Sequence, residues 1–170
     1  MSNPMIDLIL SRRSIRAYKP EQISDEALQT LLTAAEYAPS GMNQQLRKFA
    51  AVQGRDNIQS MLAAGGLEGD PFYGAPTVIV VFAQKDAIAA AECGALSMEN
   101  MMLAAHALGL GSCWIHAVTR IFPTEGGKAL QKQWGIPEDY FAVGSLAVGI
   151  PAGEAPAPRP RKENLSVIIK

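Results

Sequence analysis

Cysteine is scarce in this chain: Cys93 and Cys113 are the two present, and they stand far apart. They form no CxxC pair, which excludes a redox dithiol and a zinc knuckle of that type. Cys113 lies three residues before His116, but no second ligand pair accompanies them, so no metal site is expected. Both thiols are expected free and buried. Long hydrophobic runs are also lacking. Charges, glycine or histidine interrupt each apolar stretch well before the roughly 20 residues that a membrane-spanning helix needs. The opening Met1-Ser2-Asn3-Pro4 carries no basic region leading into an apolar one, and a signal peptide is not expected. Neither sign of charge is in excess: 15 Lys plus Arg face 16 Asp plus Glu. That balance argues against nucleic acid or an anionic membrane as the main partner, yet it permits a local basic pocket for one small anion. No GxGxxG fingerprint follows any expected strand, and there is no internal repeat. These absences describe a cytoplasmic protein.

What is present is a core. The apolar share is 48% over 170 residues, enough for one domain spanning 1–170. Ile6, Ile9 and Leu10 recur at helical spacing and predict a short first helix. Ser24 offers an N-cap with Asp25 and Glu26 in the first turn, and Leu28, Leu31, Leu32 and Ala35 supply the stripe of a second helix that stops before Pro39. A strand is expected over 49–53 and a helix over 58–64. The run 77–83 is β-branched and apolar on both faces, as a central buried strand requires. Residues 87–108 form the longest helical candidate, rich in Ala and Met and apolar nearly all round. Such a helix is buried either in a subunit interface or in the core of one chain. Strands over 112–116 and 141–149, a helix over 123–134 and a Pro/Ala segment over 151–160 follow. The tail, 165–169, has strand character.

The stretch Arg12-Arg13-Ser14-Ile15-Arg16 gathers three guanidinium groups and a hydroxyl behind the first helix. In an extended segment Arg12, Ser14 and Arg16 share a face. Two readings stand: cations that offset the macrodipole at a helix C-terminus, or planar donors converging on phosphate or nucleotide oxygens.

Four motifs occur in order along the chain. They are Arg12-Arg13-Ser14-Ile15-Arg16, Ala38-Pro39-Ser40-Gly41-x-Asn43, Gly109-Leu110-Gly111-Ser112-Cys113-Trp114-Ile115, and Val148-Gly149-x-Pro151 leading to Arg159-Pro160-Arg161-Lys162. Together they resemble the nitroreductase/flavin reductase family, over the chain from about Ile6 to its end. The resemblance implies an α+β fold, a mostly antiparallel mixed sheet flanked by helices, in an intertwined homodimer with FMN at the subunit interface. It implies that Arg12, Arg13, Ser14 and Arg16 contact FMN and that Arg159 and Arg161 close on its phosphate. Pro39, Ser40, Gly41, Asn43 and Gln45 would reach the flavin from the other subunit. Ile115 and His116 would present backbone near the flavin N5. Residues 151–170 would form an arm crossing to the partner.

The implied activity is FMN-dependent NAD(P)H oxidation with ping-pong hydride transfer to a nitroaromatic, quinone or enone acceptor. On the same scaffold the alternatives are an FMN-binding protein without turnover, dehalogenation, and flavin breakdown. The chain departs from the family in three places. Leu46 and Arg47 stand where Pro-Trp is common, His116 stands where a Gly often follows the strand, and little sequence is left for a covering insert. For His116 two readings are open: a side chain that donates a proton to the reduced acceptor, or a residue that matters only through its backbone.

Overall fold

The computed structural model describes residues 3–170; Met1 and Ser2 of the expected 1–170 domain lie outside the described residues. Helix α1 (Pro4–Ser11) starts where Asn3 Oδ1 accepts the Met5 N–H at 2.9 Å and Pro4 occupies the first turn. Its apolar side chains Met5, Ile6, Ile9 and Leu10 are exposed in the single chain. Helix α2 (Asp25–Glu36) is capped as the sequence predicts, with Ser24 Oγ accepting the Ala27 N–H at 3.1 Å. It buries Leu31 and Ala35 completely.

Four strands follow the expected order: β1 (Arg47–Gln53), β2 (Thr77–Gln84), β3 (Gly111–Ile115) and β4 (Tyr140–Gly149). They form one sheet in the order β1-β2-β4-β3, and every neighbouring pair is antiparallel. The mixed sheet expected from the resemblance is therefore antiparallel throughout its four strands. Parallel pairing is confined to an isolated bridge between Ser14 and Ser112. β2 is central and buried on both faces. Alternate residues divide the core in two. Val78, Val80 and Phe82 face α3 (Arg55–Ala64), α5 (Val118–Ile121) and α6 (Glu125–Gln133), while Ile79 and Val81 face α2 and α4 (Ala90–Ala107).

Several details differ from the periodicity. The helix expected over 123–134 is α6, which Thr124 starts by accepting the Gly127 N–H at 3.0 Å, and the short α5 ahead of Pro123 was not expected. The long helix begins at Ala90, after Ala89 takes a left-handed φ of 52°. That helix is not buried all round in the single chain. Cys93, Gly94, Ser97, Met98, Met101, Met102 and Ala105 face inward, whereas Leu96 is 44% exposed. The reason is position: α4 packs against the sheet and α2, and α1 makes a smaller contact with it. The tail, 165–169, forms no strand within this chain, and Ile169 is 92% exposed.

Candidate active site

The Arg segment is fixed by backbone pairing to the sheet. Beyond α1 the chain extends, Ile15 N–H donates to the Ser112 carbonyl at 2.9 Å, and Lys19 N–H donates to the Ile150 carbonyl at 2.8 Å. Residues 12–19 thus run along the start of β3 and the end of β4. Ile15 lies so close to Gly111 that a Cβ there would come within 2.7 Å of its Cγ2. Tyr18 O–H donates to the Ile15 carbonyl at 2.6 Å and also reaches the Ala147 carbonyl at 3.2 Å. Burial, then the neighbouring Cys113, pushes the phenol's pKa well above its ordinary value, so it stays neutral and acts as a donor.

The three guanidinium groups have different partners. Arg12 Nε lies 3.7 Å from Glu99 Oε1 on α4. Arg13 Nη1 donates to the Leu10 and Arg12 carbonyls, both at 2.8 Å, closing the C-terminus of α1. Its Nε is buried without a hydrogen-bond partner, which is exceptional for a charged group and marks a position where a ligand acceptor would relieve a cost. Arg16 Cζ sits 5.9 Å from the centroid of the Tyr73 ring. Just ahead of the cluster, Ser11 Oγ and His106 Nε2 are 2.8 Å apart, a second tie to α4.

The loop 39–45 lies elsewhere. It turns through a single 3-10 turn, Gly41–Asn43, and packs on the N-terminal end of α4. Gly41 N–H donates to Cys93 Sγ at 3.2 Å, and a Cβ on Gly41 would fall 2.7 Å from the Ile88 carbonyl oxygen. Gln44 Oε1 accepts the Ile88 N–H at 3.0 Å. Ser40 Oγ accepts the Gln45 N–H at 3.0 Å, and Gln45 Nε2 donates to Asn43 Oδ1 at 3.1 Å. At about 1.5 Å per residue, the loop's contact at Cys93 and the Arg12 contact at Glu99 are roughly 9 Å apart along α4.

The remaining expected residues form two further groups. Ile115 is buried at the end of β3, where its carbonyl accepts Ser145 Oγ at 3.0 Å. His116 is exposed and lines a cavity of about 700 Å³ with Thr119, Phe122, Lys128 and Tyr140. The cavity opens where β3 stops opposite Ser145 while β4 starts at Tyr140, leaving that stretch of β4 paired with β2 alone and open on its β3 side. Arg159 and Arg161 are exposed on the arm, which leaves the body at Pro151, paired with Tyr18. The arm thus begins beside the Arg segment, and residues 152–170 are exposed. Among the described residues no cluster of three metal-binding side chains occurs, and no helix is long and apolar enough to cross a membrane.

Sequence reasoning treated Arg47 as a departure only. In the structure its guanidinium reaches back under the loop 39–45 to α2 and α4, and burial lowers its pKa from the ordinary guanidinium value. Glu99 and Tyr18 were missed as well. Their signal was weak, since an acid on an apolar helix and a tyrosine near a turn are both common at surfaces.

This chain matches the family model described as the Nitroreductase family, over residues 9–71 and 58–150. The chain belongs to the nitroreductase family. It is 36% identical to a curated Archaeoglobus fulgidus protein named as an NADH dehydrogenase/NAD(P)H nitroreductase, with 88% of this chain and 86% of that protein covered. Its fold is similar to the crystal structure of a nitroreductase with bound FMN from Bacteroides fragilis. The TM-score is 0.90 at 29% identity, covering 99% of this chain and 100% of that one. An FMN-dependent nitroreductase from Clostridium difficile is 31% identical with a TM-score of 0.81, covering 99% and 100% of the two chains. As a nitroreductase-family protein, the chain is an oxidoreductase.

Proposed function

We propose that this protein is an FMN-dependent NAD(P)H oxidoreductase, acting as an intertwined homodimer on nitroaromatic, quinone or enone acceptors. The observation that carries the reading is the Arg segment: three guanidinium groups held on one short stretch by the sheet, with a buried Arg13 Nε left without a partner. A phosphate monoester, with close to two negative charges and oxygens that accept from several donors, suits that donor set.

In this reading Arg12, Arg13, Ser14 and Arg16 hold FMN together with Arg159 and Arg161 of the arm. The loop residues Pro39, Ser40, Gly41, Asn43 and Gln45 serve the neighbouring subunit's site, and Ile115 and His116 border the ring. FMN, when bound, supplies hydride chemistry between the nicotinamide and the acceptor. The chain's own part is to bind and orient: Glu99 steadies Arg12, and Tyr18 fixes the backbone between Ile15 and Ala147.

The dimer draws support from features that one chain leaves unused. The apolar side of α1 is uncovered, and residues 151–170 make up an exposed arm with an apolar end. Burying such surface against a second copy is favoured by about 25 cal/mol per Å². Two buried free thiols, Cys93 and Cys113, suit the reducing cytoplasm.

The test is the absorbance spectrum of the purified protein, followed by heat release and identification of the flavin. FMN and steady-state NAD(P)H oxidation are expected. A colourless protein that takes up no added FMN would overturn the reading, and bound FMN without turnover would make it a flavin carrier.

A further inference from the structure

The guanidinium of Arg47 is enclosed by neutral acceptors from two elements. Nη1 donates to the Pro39 carbonyl at 3.2 Å, the Cys93 carbonyl at 3.3 Å and Ser97 Oγ at 2.8 Å. Nη2 donates to the Ala38 carbonyl at 2.9 Å and the Glu36 carbonyl at 3.4 Å. Glu36 and the residues just behind it form the C-terminal end of α2, where unpaired carbonyls concentrate partial negative charge. Cys93 and Ser97 lie on the inward face of α4. A planar fork of donors that stays charged when buried suits this set, whereas an ammonium would reach only part of it.

The same contacts bracket the loop. Pro39 begins it, Arg47 follows it as the first residue of β1, and α4 carries its middle. Local preference does not hold the loop in shape. Met42 and Gln45 have φ of 49° and 56°, a left-handed region that side chains other than Asn and Asp enter at a cost, and Asn43 joins them at 55°. Contacts from outside must therefore hold it: the Arg47 fork grips Pro39 at its start and ties the residues on either side of it to α2 and α4, while Gly41 N–H on Cys93 Sγ and the Ile88 N–H on Gln44 Oε1 hold its middle.

We infer that Arg47 is a positioning residue of the flavin site, its guanidinium fixing the loop 39–45 in the form that presents Ser40, Asn43 and Gln45. The ligand in this statement rests on the flavin reading above; the fixing of the loop does not.

The experiment uses flavin-loaded protein as purified and compares Arg47→Met and Arg47→Lys with Ile58→Ala, which truncates the core under α3. Two quantities are read: FMN release on dilution, from the recovery of flavin fluorescence, and amide exchange over residues 40–45. Arg47→Met is expected to release FMN about ten-fold faster or more, with faster loop exchange, and Arg47→Lys to fall between it and wild type. Ile58→Ala should lower the melting temperature while leaving both readouts within about two-fold of wild type. Unchanged release in Arg47→Met overturns the inference, whether or not loop exchange rises. Equal effects from Ile58→Ala overturn it too, because the cause would be general destabilisation. If Arg47→Met does not fold, Arg47→Lys and Ser97→Ala decide by the same criteria. A wild-type protein without flavin sinks the functional reading separately. Loop exchange then decides on the clamp alone, with lost protection in Arg47→Met supporting it and retained protection refuting it.

Discussion

Arg12→Ala separates stability from flavin affinity, and the structure sets both magnitudes. In the folded chain Arg12 makes one ion pair, 3.7 Å from Glu99, with side chains 24% and 45% exposed. A pair that open to solvent contributes about 0–1 kcal/mol. The side chain is otherwise not part of the core, so the variant should unfold within about 1 kcal/mol of wild type. Toward a phosphate, the same guanidinium offers a charge-assisted hydrogen bond worth about 1–3 kcal/mol, which is roughly 5–150-fold in FMN dissociation constant. Riboflavin lacks the phosphate, so its weaker binding should hardly change. Glu99→Gln is the companion variant. It removes the carboxylate that steadies Arg12 and should weaken FMN binding modestly, by less than Arg12→Ala does. The assays are urea denaturation for stability and fluorescence titration of flavin-stripped protein with each flavin. Equal losses for FMN and riboflavin in Arg12→Ala would refute the phosphate role. A stability loss of several kcal/mol would show that Arg12 belongs to the scaffold instead.

Two further predictions follow from the packing. Tyr18 keeps its proton in the folded chain at a pH where the unfolded chain releases it, so its contribution is fully present below the ordinary phenol value of 10.0 and is lost as pH rises above it. Urea midpoints between about pH 8 and 11 should fall more steeply for wild type than for Tyr18→Phe, and parallel curves would contradict the assignment. Ile9→Asp places a charge on the exposed apolar side of α1, where Ile9 is 49% exposed, and should leave the fold intact by circular dichroism while shifting sedimentation toward monomer. An unchanged dimer would remove α1 from the proposed interface.

Much of the fold was legible because local and global signals agreed. Ser24 with Asp25 and Glu26 marked the start of α2, and the β-branched run in 77–83 could be only a buried strand. Pro123 and Thr124 marked the start of α6, whereas α5, only four residues long, is too short to show a helical period. What covers α4 stayed open, because periodicity reports how apolar a helix is, not whether its own chain or a second one supplies the cover. At the site, the Arg segment was visible from charge spacing, while its backbone pairing to β3 and β4 was not, since pairing between distant segments leaves no local signal. Arg47 was hidden for a related reason. Its acceptors are backbone carbonyls and one hydroxyl, so no acidic partner in the sequence announced it.

The central claim is that the flavin site is assembled from two chains. Two inactive variants test it in one mixed dimer. Arg12→Glu reverses the charge on the phosphate side, and Gly41→Val forces the loop off Ile88, where even a Cβ would sit 2.7 Å from the carbonyl oxygen. The variants carry different tags, and the mixed dimer is isolated by tandem affinity steps. If the loop serves the neighbour's site, one of its two sites contains both lesions and the other contains neither. The mixed dimer should then hold about half the wild-type flavin and recover NAD(P)H oxidation. If each chain builds its own site, every site carries one lesion, and flavin content and activity of the mixed dimer would stay as low as in the parent variants.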